Sequence, residues 1–74
     1  MEYEVWPSAL KHGVKPEDML HALQNCVLVF RMEEEFDMRI GPDCAGNLLE
    51  IGVVRGQAVI HAMKARNKFI RRKS

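Results

Sequence analysis

The clearest periodicity in the chain runs from Leu48 to Val54, where Leu49, Ile51 and Val53 alternate with Leu48, Glu50, Gly52 and Val54. A period of two sends successive side chains to opposite faces, so this segment predicts a strand. Arg55-Gly56-Gln57 suits a tight hairpin turn. Ala58–Met63 then returns as a strand, with Val59, His61 and Met63 expected on one face and Ala58, Ile60 and Ala62 on the other. Upstream, the β-branched and aromatic run Val27–Arg31 predicts another strand, and Met38–Gly41 a shorter one. Met32–Asp37 reads as an acidic connection, and Pro42–Asn47 as a turn in which Gly46 supplies a positive φ.

The N-terminal third has a different pattern. Trp6–Gly13 predicts a short helix, with Pro7 in its first turn and Gly13 as its stop. Pro16 opens a second helix, which gains from Glu17 and Asp18 in its first turn and ends near Asn25. Met19, Leu20, Ala22 and Leu23 form its apolar face. The pattern as a whole predicts an α+β fold within a single domain, 1–74. Two short N-terminal helices are followed by a small antiparallel β-meander and a basic C-terminal tail or short helix.

A chain of 74 residues buries only about 60% of the surface its unfolded form exposes. Its core alone rarely supplies more than ~3–5 kcal/mol. A partner is the expected support. Cys26 and Cys44 are two lone thiols without a signal peptide, which argues against a disulfide. No C-x-x-C or paired Cys/His spacing points to zinc. No apolar run approaches the ~20 residues that span a bilayer. The expectation is a soluble cytoplasmic protein with neither metal nor cofactor.

Charge changes the picture more than composition does. All ten acidic residues lie at or before Glu50, beside four cations, whereas residues 51–74 carry seven cations and no acid. A formal net charge of +1 thus conceals −6 followed by +7, and such asymmetry points to a polyanionic partner. Lys11, Lys64, Lys68, Arg71 and Arg72 are the candidate RNA-binding cations; a solvated tail is the plainer reading of the last two. His61 lies where an apolar strand meets the basic end. It is either a buried ring held by a carbonyl or a proton carrier oriented by Glu50 on the neighbouring strand. His12, in Lys11-His12-Gly13-Val14, is either part of a helix C-terminus or a second member of that site. Arg66 offers a planar fork for a phosphate. His21, four residues after Glu17, reads as an ordinary surface pairing.

Lys11-His12-Gly13-Val14 followed by Pro16-Glu17-Asp18 resembles the K-H-G-V segment of BrnT-type toxins, compact RelE-like ribonucleases of bacterial toxin–antitoxin pairs. Ile40-Gly41 with Gly46-Asn47-Leu48-Leu49 is similar to that family's I-G…G-R-L-L segment. Ile60-His61-Ala62-Met63-Lys64-Ala65-Arg66 resembles its R-I-I-S-A-R strand end. His61 stands where the family more often has Arg, and Glu50 where it usually has an aliphatic residue.

The resemblance implies a small twisted sheet packed on helices, RNA cleavage that blocks translation, and a hetero-oligomer with an adjacently encoded, DNA-binding antitoxin. His12 and Arg66 match the family's His and Arg. The expected activity is a metal-independent endoribonuclease in which the ribose 2′-hydroxyl attacks the adjacent phosphate. His61, Arg66, His12 and Glu50 are the catalytic candidates. A non-catalytic RNA- or protein-binding module is the alternative.

Overall fold

The computed structural model describes residues 3–70 of the chain. Strand β1 (Glu4–Val5) leads into α1 (Pro7–Leu10) and α2 (Pro16–Gln24). Four strands follow, β2 (Leu28–Glu33), β3 (Phe36–Pro42), β4 (Leu48–Val54) and β5 (Ala58–Lys64), and then α3 (Asn67–Ile70). The sheet has five strands in the order β1-β5-β4-β3-β2. Among the described residues, no helix is long and apolar enough to cross a membrane.

The expected architecture of two N-terminal helices followed by an antiparallel meander is corrected here. Among the described residues only α2, with nine, is longer than a single turn, and α1 has four. The sheet is mixed, because β1 lies parallel to β5 through Glu4↔Ala58 and Val5↔Val59. The acidic connection is also corrected. Glu33 belongs to β2 and Phe36 to β3, and only Glu34-Glu35 turn the chain, with Glu35 at φ 67°. The protein is built mainly of strands.

One face of the sheet carries α2, whose Met19 and Ala22 pack with Leu49, Ile51, Val53, Val59 and Ala62. The helix axis comes very close to β3: a Cβ at Gly41 would overlap the Ala22 carbonyl oxygen. Asp18, in the first turn of α2, accepts the Cys44 backbone N–H at 3.0 Å and so ties the β3–β4 turn to the helix. Inside that turn Asp43 Oδ1 accepts from Ala45 and Asn47, and Gly46 sits at φ 92°. The opposite face holds a second cluster of Met38, Ile40, Ala65 and Phe69, over which α3 folds back.

The pairing of β4 with β5 is not a plain alternation. Val53 lies opposite Val59, but Gly52 lies opposite His61, so Ile60 is an extra residue in a β-bulge. Ser8 at the start of α1 donates to the Ile60 carbonyl at 2.6 Å. The bulge splits the face expected for β5. Val59 joins Ala62 on the α2 side, while His61 and Met63 turn to the α3 side. Without the extra residue, the Val53↔Val59 pairing would set His61 opposite Ile51, on the α2 side and away from Glu50.

Candidate functional site

Because cross-strand partners share a face, Glu50↔Met63 and Gly52↔His61 put the carboxylate and the imidazole side by side on the α3 face. Glu50 is completely buried. Its Oε2 accepts from His61 Nε2 at 2.8 Å and from Arg66 Nη2 at 2.7 Å. Its Oε1 accepts from the Arg66 backbone N–H at 2.9 Å and from Arg66 Nε at 3.0 Å. Arg66 reaches this position because the chain leaves β5, pairs Ala65 N–H with the Leu48 carbonyl, and turns into α3. Phe69 then stacks on Phe30 with ring centroids 5.3 Å apart, beneath Arg66 and Lys68.

A carboxylate sealed in a core is unfavourable unless its lone pairs are matched, and these donors match them. Burial pushes the Glu50 carboxyl up, but the bonds from the Arg66 side chain and backbone and from His61 outweigh it, so the group titrates below its ordinary value of 4.5. The same carboxylate raises Arg66 further above the ordinary arginine value. An ionised carboxylate only accepts hydrogen bonds, so His61 Nε2 must carry the proton. In the neutral ring, the available lone pair is therefore on Nδ1. The His61 side chain retains 25% of its exposure and that of Arg66 47%. Both groups are anchored from within and open to solvent outside.

His12 follows α1, exposed, and its ring meets that of His61 edge to face with centroids 6.0 Å apart. Two imidazoles and a guanidinium thus gather around one buried carboxylate. Lys68 shares the Phe69 ring with Arg66, its Nζ 5.1 Å from the ring centre. Lys11 is exposed next to His12. Lys64 pairs with Leu49 and so belongs to the α2 face, opposite Glu50, His61 and Arg66. Arg71 and Arg72 lie outside the described residues. His21 bonds the Pro42 carbonyl through Nδ1 at 2.8 Å, a strand-to-helix tie in place of the expected surface pairing with Glu17.

Three neighbours of the site have no chemical signature in the sequence. Gly52 leaves room that a Cβ would fill, 2.9 Å from His61 Cβ and 3.1 Å from Phe36 Cε1. Phe36 lies over that gap beside the imidazole, and Ile60 forms the bulge. The glycine within an alternating strand was the one available signal, since such a glycine marks a bulge or a close approach.

Compared with family models, with curated proteins and with solved structures, the chain gives no significant match.

Proposed function

We propose that this protein is a metal-independent endoribonuclease of the toxin type, which cleaves RNA in the cytoplasm, thereby inhibits translation, and is neutralised by an adjacently encoded, DNA-binding antitoxin. The observation that carries the reading is the buried Glu50 carboxylate, which orders an imidazole and a guanidinium at a solvent-facing edge with a second imidazole 6.0 Å away between ring centres. In the proposed reaction His61 Nδ1 takes the proton of a ribose 2′-hydroxyl. The 2′-oxygen attacks the adjacent phosphorus and closes a 2′,3′-cyclic phosphate. The P–O5′ bond breaks, and His12, in its protonated form, gives the leaving 5′-oxygen its proton. The outward side of Arg66, with Lys68 and Lys11, offsets the charge developing on the phosphate. Glu50 is a positioning residue: it holds the His61 tautomer and the Arg66 fork without touching RNA.

The test is cleavage of an end-labelled RNA oligonucleotide by the purified protein between about pH 6 and 8. His61→Ala and His12→Ala should each lower the rate by about 10²–10⁴-fold, the usual contribution of a positioned acid or base. Undiminished cleavage by a folded His61→Ala protein would remove the assignment.

The second reading, a non-catalytic RNA- or protein-binding module, is favoured by one feature. Both Arg66 Nε and Nη2 are committed to Glu50, which leaves little of the fork for a phosphate. RNA that is bound but left intact across that pH range would select it. A steep loss of binding with salt would identify RNA as the ligand in place of an apolar protein surface.

A further inference from the structure

The α3 face of the sheet has a second region, one residue row away from His61. The pairings Glu33↔Phe36, Phe36↔Val54, Val54↔Ala58 and Ala58↔Glu4 form a single row across all five strands. Its centre is apolar, and each edge strand ends the row with a glutamate. The row lies in a hollow of about 650 Å³ that Trp6 and Ile60 also line. Trp6, the single tryptophan of the chain, is 45% exposed there. Glu34 adds a third carboxylate to the rim, while Glu35 is engaged by Arg55 at 2.8 Å.

We infer that this hollow is a docking site for a protein partner, and that the segment seated in it carries an apolar side chain flanked by lysines or arginines. An exposed tryptophan beside a half-buried phenylalanine is the composition of an interface anchor. Three carboxylates without an ion-pair partner among the described residues surround an apolar floor, and they repel RNA and select a cationic protein segment. The charge asymmetry of the chain therefore has a spatial counterpart. At one end of the face Arg66 and Lys68 stand beside the imidazoles, and at the other the glutamates of β1 and β2 surround the tryptophan. The inference is independent of the nuclease reading, because it concerns neither His61 nor cleavage.

The probe is a short capped peptide of alternating lysine and leucine, titrated against the full chain while the Trp6 fluorescence and the backbone amide shifts are followed. The expected result is saturable binding, with shifts confined to residues around Trp6, Phe36 and Ala58. Affinity should weaken about tenfold on raising salt well above physiological strength, because these contacts are exposed and screened. The double variant Glu33→Lys, Glu34→Lys, altered only at exposed positions at the end of β2 and in the turn after it, should lose the binding while keeping its fold. A lysine–serine peptide should bind at least tenfold more weakly, since it lacks the apolar anchor. No saturable binding, or equal binding by the charge-reversed variant, overturns the inference. So does concentration-dependent self-association through this face in the absence of peptide, which would give the hollow to a second copy of the chain.

Discussion

Replacing Arg66 by methionine keeps the apolar stem of the side chain and the backbone N–H but removes two of the donor groups that satisfy Glu50. The carboxylate would retain the Arg66 backbone N–H at 2.9 Å and His61 Nε2 at 2.8 Å, and lose Nε and Nη2. A hydrogen bond to a charged group contributes about 1.5–3 kcal/mol, and removing one partner of a buried ion pair costs about 3–5 kcal/mol. Because the guanidinium is half exposed, water can reach the carboxylate from the side it vacates. The loss should therefore fall near the lower figure, about 3 kcal/mol. A domain of this size has roughly 4–11 kcal/mol in total.

With a urea dependence of about 1 kcal/mol per molar, the Trp6 fluorescence midpoint at neutral pH should drop by about 3 M. The pH dependence should also reverse. In the parent protein Glu50 titrates below its ordinary value, so its contribution is present above that value and is lost as the pH falls through the folded one. In Arg66→Met the cation is gone and burial, which raises the carboxyl, prevails, so the folded state takes up a proton on Glu50. Acidification from about pH 8 towards 5 should then stabilise the variant, and this rescue is measurable even if it is unfolded at neutrality. Equal midpoints at pH 7, or parallel pH profiles for the two proteins, would refute the claim that the Arg66 guanidinium holds the buried charge.

Two further outcomes follow from the same contacts. Glu50→Gln should make the acid limb of the stability profile below about pH 4.5 shallower, because one depressed carboxylate is absent while that of Asp18 remains; urea midpoints measured at about pH 3–6 would show this. Gly41→Ala should cost about 3 kcal/mol or abolish folding, because its Cβ would meet the backbone of α2 at Ala22 and no side chain can move aside; thermal unfolding by circular dichroism reads it directly.

Much of the local structure was legible before folding was considered. Leu48–Val54 forms the strand that its alternation predicts, buried on both faces, and Pro16 with Glu17 and Asp18 opens a helix. Gly13 and Gly46 take the positive φ that a stop and a turn require. The site residues were also legible as types: the only acid on β4, the only histidine on β5 and the arginine beyond it. What misled was the assumption of uninterrupted alternation. It put His61 on the face of Val59, while the run of glutamates read as a connection and left Glu33 and Phe36 in a loop.

These decisions belong to long-range pairing. Glu4-Val5 is too short to signal a strand and becomes one only because Ala58 and Val59, more than fifty residues away, present a free parallel edge. Ser8 ties the bulge at Ile60 to α1 by donating to its carbonyl, and that extra residue turns His61 towards Glu50. Side-chain chemistry and short-range periodicity are written in neighbouring residues, so the chain alone determined which groups were available and which segments extend or coil. Register, face and burial arise when distant segments compete for the same backbone hydrogen bonds, and only the tertiary structure decided that the carboxylate, the imidazole and the guanidinium meet.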